Sequence, residues 1–423
     1  MVVRYLKQNF VVQIARMISF DNTEYAFEYK TFNELKKAQF LFSAMGNPAL
    51  LKLGLAVAPL AIRWNIPFTK PLLRSTIFGQ FVGGETLEET APVANKLEKY
   101  HVKVILDYGV EGGANGEAGF EESTKEFVKV IDYAATQENI PFMSIKVTGF
   151  VRFGLLEKLD ANMHSIEGTL VKRYHQAIGQ LAAPEKKEWE LCVSRLKRIC
   201  ETASAKNIGV LVDAEETWIQ DPVDAMTMLM MDEYNKKKAV VYNTLQLYRH
   251  DRLAFLKDSY TASRERNFIL GVKLVRGAYM ENERKRAIEK GYPSPIQPDK
   301  ESCDKDYDLA TEFCISHLED LCVIVASHNE RSNLDAAHLL DKRGLPHNHP
   351  HIHFSQLYGM SDHITFNLAK SGCSVSKYLP FGPIKDVIPY LMRRAQENSS
   401  VAGQTGRELA LLKKELQRRK ARS

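Results

Sequence analysis

The sequence predicts an α/β fold, a modified (βα)8 TIM-like barrel with additional N-terminal helices. From about residue 90 onward, short apolar β-branched runs alternate with longer amphipathic helical patterns, the signature of βα units around a parallel sheet. Eight such runs are found, the number that closes a barrel. No G-x-G-x-x-G occurs, and the glycine-rich stretch from Gly109 to Gly119 is too acidic to cradle phosphates. An open doubly wound sheet, which announces its ligand with that fingerprint, is therefore disfavoured.

Taken in order, residues 1–90 read as a helical extension that packs on the barrel, with Thr31-Phe-Asn-Glu34 as a capping box. The barrel is expected over 91–404. Its strands are placed at Lys103–Tyr108, Phe142–Val147, Ile208–Val212, Val240–Gln246, Ile269–Val275, Cys322–Ala326, His351–Phe354 and Val375–Leu379. Tyr390 to Asn398 should lie early on the helix after the eighth strand, because Pro389 suits a first turn and rules out an interior position. Residues 405–423 read as a C-terminal amphipathic helix and basic tail, with Leu409, Leu411, Leu412 and Leu416 recurring among charges. A helix docked on the barrel is preferred there to a membrane or partner anchor.

Composition bounds the function classes. With 44% hydrophobic and 26% charged residues in 423, a large core is available and global disorder is excluded. A net charge of +5 from 57 basic and 52 acidic residues carries no nucleic-acid footprint. The six cysteines form no C-x-x-C or Cys/His ligand pattern, so they read as reduced core thiols and no metal site is expected. The longest apolar stretch, Leu53 to Ile62, contains Pro59 and falls short of the roughly 20 residues that span a bilayer. The first sixteen residues carry Arg4, Lys7 and Arg16 and no acid, which fits either a mitochondrial presequence or a start at Met17.

Polar residues at the C-terminal ends of barrel strands face the catalytic mouth. Here those ends carry Asp107 and Glu111, Lys146, Asp213 with Glu215 and Glu216, Gln246 and Tyr248, Lys273 and Arg276, His328 and Asn329, Gln356, and Lys377 with Tyr378. Each alone reads as a structural hydrogen-bonding residue; a polar group at nearly every strand end reads as a site. Arg393 and Glu397, four apart and so on one helix face, read on their own as an ordinary surface ion pair. The adjacent Arg393 and Arg394 near a barrel mouth also suit a carboxylate, because forked guanidinium donors stay charged at any working pH.

The run Lys273-Leu-Val-Arg276-Gly-Ala-Tyr279-Met-Glu281-Asn-Glu283, the run Ala326-Ser-His328-Asn329, and Lys377-Tyr378-Leu-Pro-Phe-Gly382 followed by Tyr390-x-x-Arg393-Arg394-x-x-Glu397-Asn398 together resemble proline dehydrogenase. The resemblance runs in order from about Phe81 to Ser400, through Asp107 to Glu111, Ser144-Ile-Lys146 and Val212-Asp213-Ala-Glu-Glu216. It is closer to the stand-alone, eukaryotic-type branch, since bifunctional bacterial enzymes usually read Arg-Leu-Val-Lys where this chain has Lys273-Leu-Val-Arg276.

That resemblance implies noncovalent FAD at the barrel mouth and oxidation of L-proline to 1-pyrroline-5-carboxylate, the first step of proline catabolism to glutamate, by hydride transfer from C5 to flavin N5. It implies that Lys146, Arg393 and Arg394 bind the substrate carboxylate, that Tyr378 lies over the substrate ring with Tyr390 nearby, and that Glu111 pairs with Arg393 as a gate. Asp213 takes an electrostatic or hydrogen-bonding role, and Glu215 and Glu216 brace Lys146. The cofactor falls to Gln246, Lys273, Arg276, Gly277, Ala278, Tyr279, Ser327, His328, Asn329 and Gln356, with Lys300 and Glu397 matched more loosely. Lys273 departs from the arginine of many relatives, and an ammonium does not reproduce a guanidinium fork.

The implied partners are a quinone electron acceptor, with peripheral contact to an energy-transducing membrane, and a separate pyrroline-5-carboxylate dehydrogenase, since 423 residues leave no room for that domain. The expected location is the bacterial cytoplasm at the inner membrane, with the mitochondrial matrix and inner membrane as the alternative. Two other readings stay open. One is 4-hydroxyproline dehydrogenase, disfavoured by Tyr378; the other is a barrel aldolase recruiting Lys146, Asp213, His328 and His353.

Overall fold

Eight strands pair in parallel, each with its sequence neighbour, and the last closes on the first. They are β1 (Val102–Tyr108), β2 (Phe142–Ile145), β3 (Gly209–Val212), β4 (Val241–Gln246), β5 (Leu270–Val275), β6 (Leu321–Ala326), β7 (Ile352–Leu357) and β8 (Val375–Phe381). The computed structural model describes residues 18–64, 66–109, 116–400 and 404–422. The first sixteen residues and Met17, read above as a presequence or an internal start, lie outside them.

Strand periodicity sorts side chains into two apolar layers. Val104 and Leu106 face the surrounding helices, whereas Ile105 joins Leu211, Tyr242 and Ile324 inside the barrel, so the interior is a packed core rather than a pore. Register carries the alternation from strand to strand: Tyr378 sits beside Ile105 on one side and Leu357 on the other. Tyr378 therefore points inward, and its neighbour Lys377 points out.

The eight strands are found within a residue of where the sequence placed them except at three C-terminal ends, the eighth strand running on to Phe381 instead of Leu379. β7 runs on to Leu357, because Ser355 and Gln356 continue the pairing with Ser376 and Lys377 although neither is apolar. β2 stops at Ile145, and a 3₁₀ turn, Val147–Gly149, follows Lys146. A larger correction concerns Pro389. The helix begins at Ile384, so Pro389 is inside it rather than in its first turn. Pro383, whose carbonyl accepts from Asp386 and Val387 at 2.9 and 3.2 Å, starts the helix earlier, so Pro389 falls where its missing N–H forgoes one bond of the helix ladder.

The N-terminal helices and the C-terminal helix Gln404–Arg422 share a second apolar cluster, in which Phe27, Leu35 and Phe42 meet Leu411, Leu412 and Leu416. The expected capping box is formed: the Thr31 hydroxyl accepts from the Glu34 amide at 3.2 Å, and the Glu34 carboxylate accepts from the Thr31 amide at 2.6 Å. Arg419 donates to the carbonyls of Phe27 and Lys30 at 2.8 and 2.7 Å, tying the two helical regions together. All six cysteines are buried and free.

Candidate active site

The C-terminal strand ends converge on one cavity of about 780 Å³. Lys146, directly after β2, enters it beside Asp107 of β1. The Asp107 carboxylate, opposed by burial and helped by Asp213 and Glu215, holds the Lys146 ammonium protonated far above its ordinary range. Asp213, directly after β3, forms an ion pair with Lys273 of β5 and accepts the Tyr378 hydroxyl at 2.8 Å. The Ser144 hydroxyl lies 2.8 Å from the Tyr378 oxygen and 3.0 Å from Asp107. A polar chain thus crosses five strands, from Asp107 through Ser144, Tyr378 and Asp213 to Lys273. Burial and the two nearby carboxylates push the Tyr378 hydroxyl well above its usual range, so it stays a donor.

Glu215 stands close to Lys146 without lining the cavity itself. Burial raises its carboxyl to about 7, although the Lys146 charge and the Thr148 hydroxyl, 2.9 and 3.1 Å from its two oxygens, oppose the rise. Gln246 of β4 donates to the Glu215 carbonyl at 2.7 Å, fixing that loop. From the helix Ile384–Ser400, Tyr390, half-buried Arg393 and buried Arg394 line the same cavity, with the Arg394 guanidinium 4.9 Å from the Tyr390 ring centre. Three cations from two elements therefore face one space.

The β5–β6 side is built differently. Arg276 donates to Asp304, Ser327 and Ser332 at 2.7, 2.8 and 2.9 Å, with its guanidinium 4.3 Å from the Tyr307 ring centre. Gly277 follows at φ +131°, and a Cβ there would stand 2.6 Å from the Tyr248 ring, so both conformation and space demand glycine. Asn329 caps the helix Glu330–Lys342 by accepting the Ser332 amide at 3.1 Å, which brings that helix's N-terminus to the cavity. The His328 ring contacts Ser361 Oγ at 2.9 Å; burial, then the charges of Lys377 and Arg394, bring it down to about 3, so it is neutral.

Of the residues expected from sequence, Lys146, Asp213, Tyr378, Tyr390, Arg393 and Arg394 line this cavity, as do Gln246, Lys273, Arg276, Gly277, Ala278, Tyr279, Lys300, Ser327, His328, Asn329 and Gln356. Lys300 is exposed and paired with Asp304. Gln356 only borders the space, since its amide holds Ser327, Asn333 and Thr365. Glu111 lies outside the described residues, and so does the side chain of Glu397. Lys377 is not at the cavity: fully buried, it pairs with Asp362 at 2.9 Å, which also accepts the Tyr29 hydroxyl at 2.7 Å. His353 is likewise elsewhere, hydrogen-bonded to Ser376 at 2.6 Å.

The sequence reading missed one wall altogether. Arg407 and Glu408, from the C-terminal helix, reach the cavity beside Glu330 and His363. Burial disfavours the Glu330 carboxylate, yet hydrogen bonds from His363 and Arg407, at 3.1 and 2.8 Å, bring it down to about 2. A signal was there to read. Positions 408, 411, 412, 415 and 416 form one helix face, and two of them are glutamates on an otherwise leucine stripe.

A sequence-family model described as proline dehydrogenase matches residues 91–407. Mitochondrial proline dehydrogenase 1 of Dictyostelium discoideum is 31% identical over 387 residues, which covers 84% of this chain and 67% of that protein. A hydroxyproline dehydrogenase of Xenopus laevis is 33% identical over 365 residues, covering 82% and 78%. Among solved structures, proline utilization A of Bdellovibrio bacteriovorus, inactivated by N-propargylglycine, superposes with a TM-score of 0.66 at 20% identity. That match covers 79% of this chain but only 34% of the other, so this chain spans about a third of the larger protein, and the likeness is one of fold.

Proposed function

Because the chain belongs to the proline dehydrogenase family, we propose that it oxidises L-proline to 1-pyrroline-5-carboxylate with FAD as cofactor. The observation that carries this reading is the meeting of Lys146, Arg393 and Arg394 at one cavity whose inner wall is the Tyr378–Asp213–Lys273 array. Three cations offer a carboxylate both charge and forked donors. Held that way, the imino-acid ring is presented to the apolar ring of Tyr378, and orientation of this kind is a large part of any hydride transfer.

The residues fit FAD. The glycine required at 277, the engaged fork of Arg276, and the N-terminus of the helix Glu330–Lys342, with Lys300 and Arg331 at its border, suit a pyrophosphate. When bound, FAD supplies the acceptor for the hydride that leaves C5 of proline as the C5–N double bond forms. The substrate nitrogen must be unprotonated for that step. Within this site Lys146 is held as a cation and the His328 ring is too weakly basic, so neither takes the amine proton.

A second reading, 4-hydroxyproline oxidation, draws on the relatives of that name at 33% and 32% identity in Xenopus laevis and Bos taurus. Proline is favoured because the Tyr378 hydroxyl is already committed to Asp213 and Ser144, so a 4-hydroxyl facing it would meet bulk without a partner. Electrons pass to a quinone-type acceptor at a membrane contacted peripherally, and the product passes to a separate dehydrogenase. Among the described residues no helix is long and apolar enough to cross a membrane. Relatives from Dictyostelium discoideum and Arabidopsis thaliana are named mitochondrial, which supports the inner mitochondrial membrane as that surface.

The test is direct. Protein reconstituted with FAD should lose its visible flavin absorbance on anaerobic addition of L-proline, and acid precipitation should release the flavin intact. Protein that stays flavin-free, or whose flavin L-proline does not reduce, would overturn the reading.

A further inference from the structure

The helix Pro48–Arg63 is apolar on two faces. Inward, Ala61 is buried, and Leu51 and Ile62 pack with the cluster that contains Ile388 and Leu391. Outward stand Leu50, Leu53, Val57, Leu60 and Trp64, spaced by three, four, three and four residues, which makes them one stripe along the helix. Leu53 is 61% exposed and Trp64 68%. Ile66, Phe68 and Leu72 follow directly, and Phe68 is 84% exposed. Scattered apolar residues on a surface need no explanation, but an ordered stripe ending in large aromatics does.

The charge pattern of the same region points to what covers the stripe. The chain holds 52 acidic residues in 423, yet from Leu35 to Gly84 there is none, while Lys36, Lys37, Lys52, Arg63, Lys70 and Arg74 all fall there. Arg74 is engaged by Glu85 and Glu89. Lys36, Lys37, Lys52 and Lys70 are exposed; Glu34, the one carboxylate close in sequence to the first two, is paired with Lys96, and none lies near Lys52 or Lys70 in sequence. Leucine, tryptophan and phenylalanine on one side, with lysines flanking and no carboxylate, is the chemistry of a helix that lies in the headgroup region of an anionic bilayer. The helix is sixteen residues long, too short to cross.

We propose that the outward face of Pro48–Arg63, continued by Phe68 and Leu72, is the surface by which this protein docks on anionic phospholipid. The proposal gives a location to the peripheral membrane contact put forward above, and it rests on that reading for its purpose. The inner side of the same helix packs on Ile384–Ser400, the helix that carries Tyr390, Arg393 and Arg394. Docking therefore places the substrate site one helix behind the lipid surface, where a lipid-soluble electron acceptor is concentrated.

Flotation of the flavin-loaded full chain with vesicles tests it, using phosphatidylcholine alone and an equal mixture with phosphatidylglycerol. The expected result is co-flotation with the anionic mixture. Leu53→Glu/Trp64→Glu should weaken binding by about tenfold or more, because it places charge in the immersed stripe. Lys52→Glu/Lys70→Glu should remove the preference for anionic vesicles. Both variants should keep wild-type proline oxidation with a water-soluble acceptor, since none of these residues lines the cavity. Wild-type protein that floats with neither vesicle, or variants that float as it does, would overturn the proposal. So would a dimer that Leu53→Glu dissociates in the absence of any flotation, which would assign the stripe to a second copy. Flavin reduction by proline is measured without vesicles, so failure of the docking surface and failure of the proposed activity are separable.

Discussion

Replacing Glu215 with glutamine should stabilise the protein above neutral pH and change little near pH 5. The Glu215 carboxyl titrates near 7 in the fold against an ordinary 4.5, chiefly because it is buried. A group whose folded pKa exceeds its unfolded value favours the fold while protonated. That contribution is fully present below about 4.5 and lost as pH rises through 7. A shift from 4.5 to about 7, at 1.36 kcal/mol per pH unit, corresponds to about 3 kcal/mol of stability surrendered by pH 8. Glutamine keeps the shape and an oxygen for the Thr148 hydroxyl, and it cannot ionise. Lys146 loses one neighbouring anion but retains Asp107 and Asp213, so 3 kcal/mol is roughly the upper bound of the gain. Urea unfolding of both proteins from about pH 5 to about pH 8 measures it. A difference that stays constant over this range, or that favours the wild type as pH rises, would refute the assignment of Glu215 as a carboxyl held near neutrality by burial.

Arg393→Met and Arg394→Met should each lower kcat/KM for proline by roughly ten- to hundredfold, the equivalent of about 1.5 to 3 kcal/mol for a charge-assisted hydrogen bond, while FAD content survives; wild-type kcat/KM in both would discard the carboxylate clamp. Tyr378→Ser should weaken proline and raise the ratio of hydroxyproline to proline activity by about tenfold, or about 1.4 kcal/mol of discrimination. Parallel losses on both substrates would mean that Tyr378 serves only to hold Asp213 and Ser144. Asp362→Ala leaves the fully buried Lys377 ammonium without its partner and should cost about 3 to 5 kcal/mol in urea unfolding, and Asp362→Ala/Lys377→Met should recover most of it. A single-variant loss below about 1 kcal/mol would show that Lys377 is not held by this pair.

Lys377 and Tyr378 show where sequence reading reaches and where it stops. The β-branched runs announced the strands, and the polar residues after them announced the mouth, because both signals are local. Which of two adjacent polar residues enters the cavity is not local: it depends on register, and here Ile105 and Leu357 beside Tyr378 turn Lys377 outward to Asp362. Ser355 and Gln356 were left outside the seventh strand for the opposite reason, since a strand buried in a barrel can carry polar residues once helices and loops supply their partners. The sequence reads the C-terminal helix as a docked amphipathic element; in the structure Leu411, Leu412 and Leu416 are buried. What the leucine pattern concealed was Glu408 and Glu415 on the same face. A carboxylate on a buried stripe must be partnered, and these two are, Glu408 by the Ser361 amide at the cavity wall and Glu415 by Arg418 and Arg419. The exceptions to the apolar pattern therefore marked a cavity wall at Glu408 and a fastening at Glu415. Through Arg407 and Glu408 the helix supplies a wall of the site, so its contribution to the cavity depends on packing against the N-terminal helices, the same helices whose outer face carries the stripe from Leu50 to Trp64.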